Sequence, residues 1–431
     1  VSVDTGIRAN DVVRHAATLG IDVIVTDHHL PEAEIPPAVA VLNPNQPGCE
    51  YPNKNLCGAG VTLKLVEALL ANRGLPVERQ RKLNESFQKL AAIATVADVV
   101  PLTGENRVLV RHGLRGIEKT PNPGLRALFD VAGIAGRTPT ARQVGFQIGP
   151  RINAAGRLAS ARDVVDLLLN ADAARAKIIA EQLDRLNRER QTIEREMGDA
   201  IAEQVVASPV TDEQAALVFA GEGWHKGVVG IVASRVVDRF NRPAFVLGLD
   251  PESGLAQGSG RSVPLFHLLE SLESMAELFT KFGGHRQAAG VTMPRENVEE
   301  FRRRFSAYAA AQLSPEDFRP QVWIDTELGL ADLKDSLFSE LEQLAPFGNE
   351  NDAPVFLIRN CSVPAAPQVK KEQHVFFHVR QGSRVHQVKA WRFAERASEV
   401  YAGATIDLAV TIDHDRYDGW SLTLEDLRPA G

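Results

Sequence analysis

Two stretches near the start of the chain carry side chains that could bind a metal ion. Asp4 ends one short β-type run, and Asp27, His28 and His29 follow the buried-strand pattern of residues 23–26. A carboxylate beside imidazole nitrogens suits Mn²⁺, Fe²⁺ or Zn²⁺. An adjacent histidine pair by itself fits a structural or surface role equally well, so the interpretation depends on whether Asp4 lies beside it.

The elements between these stretches predict that Asp4 and His28 lie close together. Residues 7–20 have apolar positions at helical spacing and end at Gly20, a residue type that commonly closes a helix. A strand, a helix and a second strand form a parallel unit, whose strands end at the same edge of the sheet. Because ligands collect at the carboxyl ends of parallel strands, this order of elements predicts a metal site there.

The composition is that of an ordinary globular protein. The chain has 431 residues, enough for roughly two to four domains. Its net charge of −7 argues mildly against nucleic acid as a partner but does not exclude a local basic site. No apolar run approaches the ~18 residues of a membrane span. Three cysteines form no disulfide framework, which predicts a reduced, cytoplasmic setting.

The two candidate metal-binding stretches resemble a known family. VDTG at residues 3–6 and TDHH at residues 26–29 are similar to the second and third motifs of the DHH phosphoesterases. ATVADVVPL at residues 94–102 resembles the fourth motif. By pattern alone, a structural role for Asp98, as a helix cap or in a buried ion pair, is as plausible as a functional one. The reason is that an unpaired carboxylate is costly to bury. The resemblance implies that Asp98 is a metal ligand.

A basic run interrupts the acidic chain at residues 131–162, which contain five arginines and no acidic residue. A charged run is usually a solvated face, but such faces normally mix both signs of charge. The small residues around Arg151 and Arg157 would let a phosphate backbone approach closely. The segment RINAAGR at residues 151–157 resembles a motif of the RecJ single-stranded-DNA exonucleases, which are members of the DHH superfamily.

Residues 172–206 form the longest predicted helix, about 50 Å if it is continuous. Its apolar positions follow a spacing of four and three residues, interrupted by Arg190. The pattern allows an isolated coiled coil, but it favours a connecting helix that spans two domains and packs one stripe against them.

Three glycine-rich segments follow, in a region with α/β patterning. They include Trp224 and His225 in residues 221–227, Ser259 and Arg261 in residues 258–262, and His285 in residues 282–290. We expect tight turns at these glycines, where exposed backbone N–H groups beside such side chains would bind an anion. In combination, the three segments resemble the DHH-associated domain.

Short alternating strands dominate after residue 315 and predict a small barrel, of which the OB fold is the form that binds nucleic acid. Basic and aromatic side chains here offer charge and stacking for a single strand, although they also fit an ordinary solvated strand edge. They are Lys370, Lys371, His374, Phe376 and Arg380. PFGNEN at residues 346–351 resembles the start of the RecJ OB domain.

These motifs cover nearly the whole chain, and the resemblance implies an α/β protein with the RecJ arrangement. We expect a parallel-sheet DHH domain at residues 1–165, a long connecting helix at 166–207, an α/β DHH-associated domain of DHHA1 type at 208–312 and an OB-type β-barrel at 313–431. The implied activity is hydrolysis of single-stranded DNA from the 5′ end to mononucleotides, in DNA repair and recombination. The implied cofactor is Mn²⁺ or Mg²⁺ in a two-metal site, which generates hydroxide and stabilises the attacking and leaving oxygens.

The resemblance also implies roles for individual side chains. Asp4 would bridge the two metal ions, and His28 and Asp98 would bind one of them. His29 would contact the scissile phosphate or assist protonation. Asp27 would not bind the metal directly but would support the residues that do. The DNA and its 5′ phosphate would be held by Arg157, Ser259 and Arg261, with further candidates along the cleft at Arg151, Trp224, His225 and His285.

The start of the chain departs from the family pattern. The first family motif, Asp-x-Asp-Gly on an earlier strand, is absent, and the first residue is not methionine. We therefore expect a chain that lacks its natural beginning, in which one metal ion keeps few ligands and activity is weak or lost.

Two other functions remain open from the sequence. One is a DHH phosphoesterase acting on oligoribonucleotides, cyclic dinucleotides or pyrophosphate, although such relatives usually lack the long helix and the barrel. The other, for this chain, is a single-stranded-DNA-binding module without catalysis. The expected partner is single-stranded DNA, and no membrane is expected as a partner. The candidate protein partners are a single-stranded-DNA-binding protein and a helicase.

Overall fold

The computed structural model describes residues 1–169, 172–415 and 419–431. They divide into two compact units, one with Val1–Asn122, Ala132–Gly149 and Val322–Gly431, the other with Pro123–Val131 and Pro150–Gln321. Residues 170 and 171, within the predicted connecting segment, lie outside the described residues. Among the described helices, none combines the length and the apolar character that a membrane crossing requires.

The helices follow one another along the chain as α1 (Asn10–Thr18), α2 (Gly58–Ala71), α3 (Val77–Ala97), α4 (Gly104–Leu114), α5 (Pro123–Val131), α6 (Ala141–Gln143), α7 (Gly149–Leu158), α8 (Arg162–Leu169), α9 (Ala173–Ala207), α10 (Val229–Phe240), α11 (Leu268–Glu273), α12 (Val298–Ala310) and α13 (Asp335–Leu344). A π-helical segment, Val144–Ile148, joins α6 to α7. The RINAAGR motif therefore lies in a helix, α7.

The first unit begins with a parallel sheet of three short strands. β1 (Ser2–Val3), β2 (Ile24–Thr26) and β3 (Ala40–Leu42) lie side by side in that order. Val3 pairs with Thr26, and Thr26 pairs with Leu42, so the three strands end level with one another. This arrangement confirms the predicted strand–helix–strand unit, in which α1 connects β1 to β2.

The second unit contains a mixed five-stranded sheet. β4 (Leu217–Glu222), β5 (Ala244–Asp250), β6 (Leu255–Arg261), β7 (Lys281–Gly284) and β8 (Ala288–Pro294) are arranged in the order β4-β5-β6-β8-β7. One hydrophobic core joins this sheet to α12 through buried phenylalanines, among them Phe245, Phe301 and Phe305. A second core joins the sheet to α9 and α10. The burial of apolar side chains by helices explains why these strands are rich in apolar residues.

The prediction of a tight turn at the glycines of residues 258–262 is wrong, and in residues 282–290 the chain turns only at residues 285–287, between β7 and β8. Gly258 and Gly260 lie within β6, and most of the second segment belongs to β7 and β8. The reason is packing, because a Cβ atom at Gly260 would lie only 2.4 Å from the Phe245 ring. The sequence showed Gly260 but not the aromatic side chain that packs against it.

The described part of the first unit ends in a barrel, as predicted. Its strands are β9 (Thr326–Glu327), β10 (Phe356–Ser362), β11 (Gln368–Lys370), β12 (His374–Gln381), β13 (Arg384–Ala390), β14 (Thr405–Asp415) and β15 (Gly419–Pro429). β12, β13, β15, β14 and β10 pair in turn, and a further pairing of Ser362 with Arg380 closes the ring. Closure protects the edges of the sheet from pairing with other chains.

A buried charge cluster explains the interruption of the apolar pattern in α9, which contains 35 residues. Arg190 donates hydrogen bonds of 3.0 Å to Glu194 Oε2 and to Asn187 Oδ1. Arg235 of α10 also pairs with Glu194, whose side chain is only 1% exposed. The helix therefore packs along a stripe that is charged at its centre, and the buried carboxylate is balanced by two guanidinium groups.

We expect Glu194→Ala to lower the free energy of unfolding by about 3–5 kcal/mol, because Arg190 would stay buried without its carboxylate partner. Chemical denaturation followed by circular dichroism measures the loss. Glu196→Ala, at an exposed position of the same helix, is the matched control and should change stability by less than about 0.5 kcal/mol. Equal stability of the two variants would contradict a structural role for the cluster.

Candidate functional site

The edge of the three-stranded sheet brings the predicted metal ligands together. Asp4 directly follows β1, and His28 lies in the loop that follows β2. The Asp4 N–H donates to the Thr26 carbonyl at 2.9 Å, which extends the pairing of the two strands. Asp4 has a positive φ of 60°, a conformation that is uncommon outside glycine but is tolerated by aspartate better than by most residues. The backbone thus turns sharply at the residue that supplies the first carboxylate.

His28 lies at the centre of this candidate metal site. Its Nε2 atom is 3.1 Å from Asp4 Oδ1 and 3.6 Å from Asp98 Oδ2, and Asp98 immediately follows the last residue of α3. Ligand atoms of Asp4, His28 and His29 lie within 4.8 Å of one another. Carboxylate oxygens and imidazole nitrogens at this spacing fit a divalent cation such as Mn²⁺.

The electrostatics of these groups also favour a cation. The hydrogen bond to Asp4 raises the pKa of His28, because the carboxylate stabilises the protonated ring. Burial raises the pKa of the Asp98 carboxyl, and the negative charge of Asp4 acts in the same direction. A divalent cation would offset the buried charge of Asp98 and the proximity of its carboxylate to that of Asp4.

Asp27 lies behind the two histidines, with its side chain only 1% exposed. Its Oδ2 accepts the Ile7 N–H at 2.9 Å, and its Oδ1 accepts the His28 N–H at 2.8 Å and lies 2.7 Å from His29 Nδ1. Burial would raise the pKa of Asp27, but these hydrogen bonds outweigh burial and lower it. An ionised Asp27 fixes the His29 ring with Nδ1 as the donor and leaves Nε2 for a ligand.

Sequence reasoning missed three residues that shape this centre. Asn43 Nδ2 donates to the His29 carbonyl, and Asn45 Nδ2 donates to the His28 carbonyl, each at 2.8 Å. A Cβ atom at Gly58, the first residue of α2, would lie 2.3 Å from Asp4 Oδ1, so this position requires glycine. The turn-rich sequence after β3 and the glycines in the first turn of α2 were visible, but neither pattern indicated contact with the candidate ligands.

A second cluster of predicted site residues forms within the other unit. Arg261 Nη1 donates to Ser259 Oγ at 2.7 Å and to the Gly260 carbonyl at 2.8 Å, and Arg157 Nη1 donates to the Gly227 carbonyl at 2.8 Å. Burial lowers the pKa of Arg261, and the positive charge of Arg157 lowers it further. In the described part of the chain, neither guanidinium has a carboxylate partner. An anion would relieve this repulsion, which makes the cluster a candidate phosphate site.

A cavity of about 270 Å³ adjoins this cluster, since Ser259 forms part of its wall. Lys226 and Lys281 contribute positive charge to the lining, and Gly258 and Gly290 line it without side chains. Exposed backbone lets a ligand approach closely. The cavity therefore extends the surface that an anionic ligand could contact.

The other predicted residues of this unit have different surroundings. Arg151 pairs with Asp184 of α9 at 2.9 Å, so its charge is already balanced by a carboxylate. Trp224 packs against glycines of β4 and β5. His225 lies beside the arginine cluster, where its Nδ1 accepts the N–H of the same glycine that bonds to Arg157. His285 is exposed in the connection between β7 and β8.

An exposed aromatic group lies on the barrel. Trp391, which follows β13, is 47% exposed, and its ring lies 5.0 Å from the His374 ring and 5.5 Å from the Phe376 ring. Lys370 Nζ lies 4.6 Å from the centre of the Phe376 ring. Three residues predicted to contact DNA therefore lie together, and sequence reasoning missed Trp391. Aromatic rings beside a positive charge form a surface on which nucleic-acid bases stack.

Three family models match the chain in the predicted order. The DHH family, N-terminal domain, matches residues 1–95, the DHHA1 domain matches residues 206–311, and the RecJ OB domain matches residues 324–424. The first range contains the parallel sheet, the second contains the mixed sheet with Arg261, and the third contains most of the barrel. These matches confirm the predicted fold class.

The chain is also similar to curated exonucleases. It is 39% identical over 409 residues to the single-stranded-DNA-specific exonuclease RecJ of Bacillus subtilis, a match that covers 95% of this chain and 50% of that protein. It is 36% identical to RecJ of Thermus thermophilus, with 92% of this chain and 55% of that protein covered. The chain thus spans about half the length of these two relatives.

Solved structures agree with the sequence matches. The Mn²⁺ complex of Thermus thermophilus RecJ matches with a TM-score of 0.82 and 33% identity, covering 100% of this chain and 61% of that chain. A manganese-bound exonuclease RecJ matches with a TM-score of 0.61 and 38% identity, covering 73% of this chain and 76% of that chain. The chain therefore belongs to the RecJ family of single-stranded-DNA-specific exonucleases.

Proposed function

We propose that the protein is a metal-dependent exonuclease that degrades single-stranded DNA from its 5′ end to mononucleotides, in DNA repair and recombination. The observation that carries this proposal is the grouping of Asp4, His28 and Asp98 at the edge of a parallel sheet. Relatives named as single-stranded-DNA-specific exonucleases support the substrate class. RecJ structures in complex with Mn²⁺ and with Mg²⁺ support the choice of cofactor.

The side chains of the centre have separate tasks in this proposal. Asp4, His28 and Asp98 would hold a divalent ion, and Asp4 would also serve a second ion in a two-metal arrangement. A divalent ion lowers the pKa of a bound water and stabilises negative charge on phosphate oxygens. His29, oriented by Asp27, would contact the scissile phosphate or supply a proton through Nε2.

The arginine cluster of the other unit would recognise the end of the strand. Arg157, Ser259 and Arg261 present two guanidinium groups and a hydroxyl, and no carboxylate of the described residues pairs with either guanidinium. A terminal phosphate carries more negative charge than an internal one and offers three acceptor oxygens to such a group. Binding of a 5′ phosphate here would give the enzyme its 5′-to-3′ direction.

Two alternatives predict different experimental results. A phosphoesterase for short ribonucleotides or cyclic dinucleotides would not need the aromatic surface of the barrel, whereas a binding module would need no metal ion. Single-stranded DNA is the partner in our proposal. The two predicted protein partners are a single-stranded-DNA-binding protein and a helicase.

We expect His28→Ala to weaken Mn²⁺ binding by more than about 10-fold, because it removes the nitrogen donor that lies between two carboxylates. Electron paramagnetic resonance of free Mn²⁺ in a titration of this chain measures the affinity. His15→Ala, at an exposed position of α1, is the matched control and should bind Mn²⁺ as the parent chain does. If both variants bind equally well, the metal site lies elsewhere.

Arg261→Ala should remove the preference for a phosphorylated 5′ end, since charge-assisted hydrogen bonds contribute about 1.5–3 kcal/mol each. The measurement compares the affinities of two single-stranded oligonucleotides that differ only in a 5′ phosphate, in the presence of EDTA. Arg303→Ala, an exposed arginine of α12 that pairs with Glu300, provides the control. A preference that survives in Arg261→Ala would place the phosphate contact at other residues.

Replacement of Trp391 by alanine should weaken binding of single-stranded DNA by about 1–3 kcal/mol, the contribution of one stacked base. The slope of log affinity against log salt should not change, because stacking releases no counterions. Lys371→Ala should instead reduce that slope by about 0.7, the value for one neutralised phosphate. Fluorescence anisotropy at several salt concentrations separates the two effects, and equal slopes and affinities in all three proteins would exclude this surface as a DNA site.

A further inference from the structure

The residue after the metal ligand Asp98 has an unfavourable backbone conformation. α3 ends with Asp98 at its C-terminal cap, and Val99 has a positive φ of 58°. Glycine usually occupies this position after a helix, and a β-branched residue there is a genuine outlier. The Val99 side chain is 66% exposed, so burial of its own methyl groups does not hold it in place. Other contacts must therefore stabilise this conformation.

A turn in the connection between β9 and β10 supplies those contacts. Backbone hydrogen bonds between Gly348 and Asn351 close the turn, and Asn349 lies at its tip. Asn349 Nδ2 donates to the Val99 carbonyl at 2.8 Å, and the Asn349 carbonyl accepts the Leu102 N–H at 2.8 Å. A single residue thus binds both ends of residues 99–102, the segment that directly follows Asp98.

The turn is itself anchored to the same unit. Arg107 of α4 donates to the carbonyls of Gln343 and Leu344 at 2.8 and 3.0 Å, at the end of α13. Asn351 Nδ2 donates to the Leu344 carbonyl at 3.1 Å and to the Pro346 carbonyl at 2.8 Å. The turn therefore has a fixed position relative to α4, the helix that follows residues 99–102.

The Asp98 carboxylate depends on its backbone for its position. Among the described residues, His28 is its only ion-pair partner, at 3.6 Å, and the side chain is 41% exposed. A change of φ at Val99 would alter the end of α3 and with it the direction in which the carboxylate is presented. The hydrogen bond from Asn349 opposes that change.

We propose that Asn349 is a positioning residue for the metal ligand Asp98. It acts on Asp98 indirectly, by donating a hydrogen bond to the carbonyl of the next residue, Val99. The inference rests on the proposed metal centre and adds a residue to it. Neighbours that hold a ligand in place typically contribute about 10–100-fold to metal affinity. The connection between β9 and β10 would thereby take part in the metal centre, in addition to any contact that the barrel makes with DNA.

The first test measures Mn²⁺ affinity and backbone protection in Asn349→Ala. We expect Mn²⁺ affinity to fall by about 10-fold or more, and amide hydrogen exchange in residues 96–102 to become faster without Mn²⁺. Glu350→Ala is the matched control, because Glu350 is the neighbouring residue in the same turn between Gly348 and Asn351. It should change neither quantity. Unchanged affinity and unchanged exchange in Asn349→Ala would overturn the proposal.

A second test asks whether the effect passes through Val99. Glycine adopts a positive φ without strain, so the helix end in Val99→Gly needs the hydrogen bond less. The loss of Mn²⁺ affinity caused by Asn349→Ala should therefore be smaller in a Val99→Gly background, a non-additivity that a double-mutant cycle reveals. Equal losses in both backgrounds would show that Asn349 does not act through this residue.

The two proposals fail in different ways. If His28→Ala binds Mn²⁺ as tightly as the parent chain, the metal centre itself is misplaced. If His28→Ala loses Mn²⁺ but Asn349→Ala keeps it, the metal centre stands and the positioning role is wrong. Thermal unfolding of Asn349→Ala and Glu350→Ala at equal midpoints would exclude a general loss of structure as the cause of a difference between them.

Discussion

The proposed metal centre depends on the buried carboxylate of Asp27. One oxygen binds the turn that leads from β1 to α1, through the Ile7 N–H, and the other binds His28 and His29 after β2. The same side chain therefore fixes the loops at the ends of two neighbouring strands. These N–H donors stabilise the negative charge of Asp27 without the help of water. Loss of that charge would leave several buried or half-buried donors unsatisfied. Hydrogen bonds from one buried carboxylate thus hold both candidate histidine ligands in place.

Backbone conformations that most residues avoid occur at both carboxylates of the centre. Asp4 has a positive φ, and so does Val99, the neighbour of Asp98. Conformations of this kind persist only where surrounding contacts determine them, and they are frequent at functional sites. At Asp4 the contact is the strand pairing with Thr26, and at Val99 it is the hydrogen bond from Asn349. The centre thus draws on parts of the chain that are about 250 residues apart.

The distribution of charge matters more than its sum in this protein. The chain has a net charge of −7, yet Arg157 and Arg261 lie close together with no carboxylate partner in the described residues. Other arginines have acidic partners, as Arg151 has in Asp184 and Arg190 has in Glu194. A guanidinium with an acidic partner stabilises the fold, whereas one without such a partner is available to an anion. Total charge does not distinguish these two cases.

The sequence by itself determined the parallel unit, the long helix, the barrel and the grouping of Asp4 with His28, because strand and helix periodicity and short connections are local properties. It did not determine that Ser259 and Arg261 lie in a strand, or that Arg151 is paired, and it gave no sign of Asn43, Asn45 or Asn349. These features depend on partners distant in sequence, such as Phe245 for Gly260 of β6, Asp184 for Arg151 and Val99 for Asn349. A residue's own pattern shows which contacts it can make, but only tertiary packing decides which partner comes within hydrogen-bonding distance.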